Sequence, residues 1–115
     1  MLEQNQLNQI TSEVTRRVRA LLGPRLRSIL LFGSYARGDY DEESDIDIMV
    51  LADIPDEDEI RALDYQINDI SSDLCMEHGI MVCILLYNRT LFEQRLPVSP
   101  FYRNVIIDGV TLYAS

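Results

Sequence analysis

The spacing of hydrophobic residues along the chain predicts helices that alternate with short strands. The first apolar stripe recurs every three or four positions, as in an amphipathic helix: Leu7, Ile10, Val14, Val18 and Leu21. Gly23-Pro24 ends this helix. Residues 28–32 are short and apolar, which predicts a buried strand. Residues 45–51 predict a second strand, because apolar side chains alternate there with a period of two.

A longer helix is predicted after the second strand. Asp56, with Glu59 three residues later, is typical of a helix N-terminus. Apolar residues recur at helical spacing over residues 60–74, and His78-Gly79 ends the helix. We expect this stripe to pack in the core, with an oligomer contact as the second interpretation.

The last third of the chain predicts one more strand and two short helices. Residues 80–87 are apolar on both faces, so we expect a strand that is central or covered. Short helices are predicted at Thr90 and at Ser99-Pro100, and residues 110–113 add a short extended piece. Together these elements predict a single small α+β domain over residues 1–115, with a mixed three-stranded sheet flanked by helices.

Charge is distributed unevenly along this sequence, whose net charge is −9. Residues 1–37 hold six arginines and two acids, whereas residues 38–59 hold eleven acids and no base. Such an acidic segment would repel the phosphates of duplex DNA, so we expect no direct duplex DNA binding. Acidic clusters do suit divalent cations. The absence of lysine excludes chemistry that depends on a lysine side chain.

The N-terminus and the cysteines indicate the cellular compartment. The opening sequence MLEQNQLNQI is polar and lacks the apolar stretch of a signal peptide. No apolar run approaches the roughly 18 residues of a membrane span. Cys75 and Cys83 lie in apolar segments, and we expect buried reduced thiols. The sequence therefore predicts a cytoplasmic protein that does not bind a membrane.

The clearest chemical signal lies between the first two predicted strands. Gly33-Ser34 is followed, after ten residues, by Asp45-Ile46-Asp47. Residues i and i+2 of a strand point to the same face, so Asp45 and Asp47 are expected to present adjacent carboxylates. Adjacent carboxylates repel unless a proton or cation lies between them, and their oxygens suit Mg²⁺. We expect both aspartates to be catalytic residues and metal ligands.

Residues near this pair are candidates for binding a nucleotide. Gly33 lets the backbone approach a ligand closely, and the N–H groups that follow it would favour phosphate, as would the Ser34 hydroxyl. Capping of a helix is the alternative role for Ser34. Arg37 would add a charged fork to the same phosphates, or else only pair with Asp39. Ser44 precedes the second strand and is expected to orient the neighbouring aspartate by a hydrogen bond.

This stretch resembles the polymerase-β-like nucleotidyltransferase superfamily, in its minimal (MNT) branch. The branch is known by glycine-serine, ten residues, then aspartate-x-aspartate, and Gly33-Ser34 with Asp45-Ile46-Asp47 match that spacing. The richer form GSYARGD followed by SDID is also typical of MNT proteins. The order of predicted elements agrees over most of the chain. The resemblance implies the polymerase-β-like nucleotidyltransferase fold.

The resemblance also implies an activity and a partner. MNT proteins are commonly the antitoxins of HEPN-type toxin ribonucleases, and characterised examples transfer AMP from ATP, with Mg²⁺, to a tyrosine of the toxin. The implied function is thus that of a protein adenylyltransferase acting as an antitoxin. Two alternatives stay open: an antitoxin that only binds its toxin, and a nucleotidyltransferase for small molecules such as aminoglycosides. A homo-oligomer is compatible with the sequence.

One departure from the superfamily pattern bears on activity. Members often carry a third acid on the strand that follows the long helix. Here that strand, residues 80–87, has no Asp or Glu, and the nearest acids, Asp73 and Glu77, fall on the preceding helix. Either two carboxylates suffice for the chemistry, or the protein is weakly active or inactive.

Overall fold

The computed structural model of the protein describes residues 2–115. The helices and strands follow the predicted order closely. Along the chain they are α1 (Gln4–Leu22), a 3₁₀ turn (Gly23–Arg25), β1 (Leu26–Phe32), α2 (Ser34–Arg37), β2 (Ile46–Ala52), α3 (Glu57–His78), β3 (Val82–Asn88), α4 (Arg89–Arg95), α5 (Pro100–Asp108) and β4 (Val110–Ala114).

The sheet contains four strands in the order β3-β2-β1-β4. Strand β1 runs antiparallel to β2 and β4, whereas β2 and β3 are parallel. The α+β class with a mixed sheet is confirmed, but the prediction of three strands is wrong. The extended piece near the C-terminus forms the fourth strand, in which Val110 lies opposite Leu31 and Tyr113 lies opposite Ile29.

Strand β3 lies at an edge of the sheet, so of the two predicted alternatives, a central or a covered strand, the second is confirmed. It is covered on both faces. Val82, Ile84 and Leu86 are buried in the larger core cluster. Leu85 and Tyr87 pack against the smaller cluster on the other face. Helices on both sides therefore explain why an edge strand is apolar throughout.

Two layers of helices bury the two faces of the sheet. Helices α1 and α3 supply the larger core cluster with their apolar stripes, including Ile10 and Val14 from α1 and Ile67 and Leu74 from α3. The interpretation of the second stripe as core is confirmed. Helices α4 and α5 cover the opposite face with a smaller cluster that includes Phe92. None of the described helices is both long and apolar enough to span a lipid bilayer.

The ends of α3 form as predicted. The Asp56 side chain accepts a hydrogen bond from the backbone N–H of Asp58 at 2.9 Å, which caps the N-terminus. Gly79 ends the helix with a φ of +71°, a conformation that favours glycine. Helix α3 is the crossover connection from β2 to β3, which allows these two strands to run parallel.

Candidate active site

Asp47 lies near the start of β2, one of the two inner strands of the sheet. In the sheet it is in register with Phe32 of β1 and Cys83 of β3. Its side chain shares a sheet face with Met49 and Leu51, which pack in the cluster beneath α4 and α5. Asp47 is half-buried. The fold thus places this carboxylate on the α4/α5 face, at the end of a rigid strand.

Asp45 comes one residue before β2, which begins at Ile46. Its side chain is exposed, and the residue between the two aspartates is fully buried in the larger core cluster. Burial of that residue forces the side chains on either side of it toward the opposite face. The two aspartates therefore lie close together, although the strand itself is shorter at this end than the sequence predicted.

The environment of Asp47 disfavours its ionised form. Burial raises the pKa of the Asp47 carboxyl above its ordinary value, the negative charge of Asp45 raises it further, and the positive charge of Arg37 opposes both effects. Without a cation, the folded protein thus holds an unfavourable negative charge at this position. Binding of a divalent cation would relieve that cost.

This pKa shift predicts how stability depends on pH. When the pKa of a carboxyl is higher in the folded than in the unfolded state, the folded protein becomes less stable as the pH rises through the folded pKa. We therefore expect Asp47→Asn to raise the melting temperature at neutral pH in EDTA. The gain should vanish below the ordinary aspartate pKa of about 3.9, where Asp47 is protonated in both states. Thermal unfolding across pH measures this.

A control corrects for the change in net charge. Asp69 is an exposed acid on α3, on the other side of the sheet. Asp69→Asn removes the same charge without touching the site, so it should not reproduce the pH-dependent gain. A gain for Asp47→Asn that stays constant across the pH range would contradict the burial argument.

Gly33 is in direct contact with the carboxylate of Asp47. It joins β1 to α2 with a φ of +75°, in the region that favours glycine. A Cβ atom at this position would lie 2.5 Å from Oδ2 of Asp47. The predicted role of Gly33 is to let the backbone approach phosphate closely. The structure adds a second requirement, since any side chain at position 33 would collide with the candidate metal ligand.

The short helix α2 begins directly after this glycine. Gly33 occupies the N-cap position, and Ser34 is the first helical residue. The alternative in which Ser34 caps the helix is therefore wrong. The backbone carbonyl of Gly33 accepts hydrogen bonds from the N–H groups of Ala36 and Arg37, both at 3.1 Å. The backbone N–H groups at the start of α2 therefore lie directly after Gly33, the residue that contacts Asp47.

Arg37, the last residue of α2, pairs with two carboxylates. Its Nε donates to Asp39 at 3.1 Å, and its Nη1 donates to Asp108 at 3.0 Å. The pairing with Asp39 is confirmed. The contact with Asp108, at the end of α5, had no signal in the sequence because 71 positions separate the two residues.

Ser44 does not hydrogen-bond to Asp45 as expected. Its hydroxyl accepts a hydrogen bond from the backbone N–H of Asp41 at 3.0 Å and donates one to the Asp41 carboxylate at 3.3 Å. The same carboxylate accepts from the backbone N–H of Glu43 at 2.9 Å. Ser44 therefore stabilises the turn that precedes β2, and it contributes to the site only by fixing the conformation of this turn.

Aromatic stacking fixes the start of the same loop. Tyr35 is buried against the larger core cluster, and the ring of Tyr40 stacks on it with centroids 4.3 Å apart. Such a pair contributes about 1 kcal/mol beyond its burial. The loop between α2 and β2, despite its many acids, is thus anchored at both ends. Neither tyrosine carries a signal for this role in the sequence.

The structure also shows which residue of β3 lies beside Asp47. Cys83 of β3 is in register with Asp47 on the neighbouring parallel strand. Asp73 and Glu77 cannot act as a third acid here, because α3 packs on the opposite face of the sheet, where Asp73 pairs with Arg17 at 2.9 Å. Both cysteines are free and only half-buried, so the expectation of buried thiols is met in part.

The available donors fit a cation that needs few protein ligands. Among residues 2–115, no group of three or more His, Cys, Asp or Glu side chains is placed to hold a metal ion. Asp45 and Asp47 offer two carboxylates, which suits Mg²⁺ because it usually keeps several waters and takes further oxygens from substrate phosphates. A structural zinc site would require four ligands and does not fit.

Comparisons with known proteins identify the family of this chain. The family described as nucleotidyltransferase domain matches residues 11–108. A protein of Methanocaldococcus jannaschii named "putative protein adenylyltransferase" is 40% identical over 89 residues, which cover 77% of this chain and 80% of that protein.

Solved structures share the fold. A chain of a toxin–antitoxin complex with AMP-PNP superposes with a TM-score of 0.59 at 23% identity, covering 91% of this chain and 73% of that chain. A chain of the complex between a tri-AMPylated Shewanella oneidensis HEPN toxin and an MNT antitoxin superposes with a TM-score of 0.55 at 21% identity, covering 94% and 72%. Because the family match covers most of this chain, the chain belongs to the nucleotidyltransferase domain family.

Proposed function

We propose that this protein is a protein adenylyltransferase that transfers AMP from ATP to a tyrosine hydroxyl of a HEPN-type toxin and thereby acts as its antitoxin. The observation that carries the proposal is the carboxylate pair, Asp45 and Asp47, with Gly33 packed directly against Asp47. The name of the Methanocaldococcus relative and the toxin–antitoxin complexes of the same fold support the choice of acceptor.

Each site residue has a distinct task in this reaction. Asp45 and Asp47 would hold Mg²⁺, which when bound supplies positive charge to neutralise the triphosphate. The backbone N–H groups directly after Gly33 and the hydroxyl of Ser34 would bind phosphate oxygens. Arg37 adds a guanidinium to the same oxygens.

The chemistry is a displacement at phosphorus. The tyrosine oxygen forms a bond to the α-phosphorus of ATP, the bond from that phosphorus to the bridging oxygen breaks, and pyrophosphate leaves. The phenolic proton passes to solvent. A phenol has a pKa near 10, so it loses its proton more readily than an alkyl alcohol. This eases the reaction in a site that has two carboxylates rather than three.

The acidic segment beside the site favours a basic partner. Residues 38–59 carry eleven acids, and most of their side chains are exposed. Complementary charge accelerates encounter between proteins more than it adds affinity. We therefore expect association with the toxin to slow markedly as salt concentration rises.

The test is to co-express the protein with a HEPN protein encoded beside it and to measure intact masses. We expect a stable complex in which the partner gains one or more AMP-sized increments, while the Asp45→Asn/Asp47→Asn variant leaves it unmodified. A tight complex with an unmodified partner, despite ample ATP and Mg²⁺, would favour the binding-only antitoxin, which the missing third acid makes the second candidate. Transfer to an aminoglycoside-like small molecule instead would contradict the proposal.

The register of β3 makes the missing acid itself testable. Because Cys83 neighbours Asp47, Cys83→Asp would add a third carboxylate to the site. We expect it to raise the rate of Mg²⁺-dependent transfer about tenfold, since a positioned base contributes 10²–10⁴-fold when its geometry is ideal. In EDTA the same variant should melt at a lower temperature, because three neighbouring carboxylates repel one another when no cation is bound.

Cys83→Ser is the matched control for this variant. It removes the thiol without adding a charge and should change neither the transfer rate nor the response to Mg²⁺. Equal rates for Cys83→Asp and Cys83→Ser would show that position 83 does not face the reacting groups.

A further inference from the structure

Arg37 is held by two carboxylates that come from different parts of the chain. Asp39 follows it by two residues, whereas Asp108 is the last residue of α5. The Asp108 side chain is 22% exposed, compared with 62% for Asp39. The contact between α2 and α5 is therefore the better shielded of the two, and solvent weakens it less.

The two contacts leave one part of the guanidinium available. Asp39 accepts from Nε and Asp108 accepts from Nη1. Neither of these two contacts uses Nη2 of Arg37. Two fixed contacts on a planar group determine its orientation, so the direction of the remaining N–H donors is set as well.

We infer that Asp108 is a positioning residue that orients the Arg37 guanidinium for binding the triphosphate. The inference rests on the proposed function, in which Arg37 contacts phosphate. Without Asp108, Arg37 would retain only its more exposed contact, the one with Asp39. Part of the binding free energy would then be spent on ordering a long, mobile side chain.

A purely structural role for the ion pair is disfavoured by how α5 is anchored. Val105 is buried on α5, and Tyr102 stacks on Phe92 of α4 with ring centroids 4.6 Å apart. These apolar contacts dock α5 without help from Asp108. An ion pair as exposed as this one contributes little to stability, typically below about 1 kcal/mol.

The experiment measures binding of Mg²⁺–AMP-PNP to the full chain by calorimetric titration. Asp108→Asn keeps the shape of the side chain but loses its charge, and we expect it to weaken affinity about three- to fivefold, equivalent to the loss of one partly exposed charged contact. Asp108→Glu restores the carboxylate and should recover most of the affinity. Asp69→Asn, on the far side of the sheet, should bind as the parent does.

A double-mutant cycle separates positioning from general effects. Arg37→Gln alone should weaken binding about tenfold or more. In that background Asp108→Asn should cause no further loss, because Asp108 acts only through Arg37. An equal loss in both backgrounds would overturn the inference, and so would unchanged or tighter binding by Asp108→Asn. If the parent does not bind the nucleotide at all, the proposed function fails and the inference fails with it.

Discussion

Asparagine at both positions 45 and 47 is expected to reduce AMP transfer by about a thousandfold or more while the protein stays folded. Loss of electrostatic stabilisation at a transferring phosphoryl group has effects of this size. The fold should persist for two reasons. Asp45 is exposed, and the ionised form of Asp47 is already unfavourable because of burial and the nearby charge of Asp45, so a neutral side chain at position 47 does not destabilise the fold. Removing the repulsion should leave the melting temperature unchanged or higher. Labelled ATP, Mg²⁺ and the partner toxin provide the assay.

The control for this double variant removes two acids elsewhere. Asp69→Asn with Glu77→Gln changes net charge equally, and both residues lie exposed on α3, across the sheet from the site. Transfer by that control should match the parent protein. Undiminished transfer by the folded Asp45→Asn/Asp47→Asn variant would eliminate the carboxylate pair as the catalytic centre.

Local sequence patterns predicted most of this fold because its elements are determined locally. The apolar stripes of α1 and α3 and the Asp56 cap needed no knowledge of the rest of the chain. An extended piece was predicted at residues 110–113, but its place in the sheet as strand β4 could not be recognised in the same way. Its residues are mostly exposed, and its stability comes from pairing with β1, about 80 residues earlier. Such non-local pairing leaves no periodic signal in either segment.

In the candidate site, too, features that local sequence encodes could be predicted, and features that depend on distant residues could not. The motif Gly33-Ser34 and Asp45-Ile46-Asp47 was visible because a strand, a turn and a strand of regular spacing encode it. The contact of Asp108 with Arg37 and the register of Cys83 with Asp47 depend on the packing of distant elements. The hydrogen bond between Ser44 and Asp41, in contrast, is local. An acid followed three residues later by serine is a recognisable turn pattern, and this turn competes with the predicted hydrogen bond from Ser44 to Asp45.

Valine in place of Gly33 is expected to abolish nucleotide binding and transfer more severely than it destabilises the fold. The backbone at Gly33, with φ +75° and ψ −159°, lies in a region almost restricted to glycine, so a side chain there costs about 1–3 kcal/mol in strain. The collision 2.5 Å from the Asp47 carboxylate adds to this. The colliding atom is the end of a side chain, so rotation of Asp47 relieves the contact without unfolding. That rotation displaces the candidate metal ligand.

Gly23→Val is the matched control, because Gly23 has a comparable backbone conformation, with φ +57° and ψ −132°, and no atom lies within 4 Å of a Cβ built there. Both variants should therefore lower the melting temperature through strain, but only the Gly33 variant should lose affinity for Mg²⁺–AMP-PNP in calorimetric titration, by about a hundredfold or more if the aspartate is displaced. Gly33→Ala, with the smallest side chain that carries a Cβ, provides the same comparison if the valine variant does not fold. Parent-like affinity in a folded Gly33 variant would contradict the close packing of this glycine on the carboxylate, whereas equal losses at positions 23 and 33 would assign the effect to backbone strain alone.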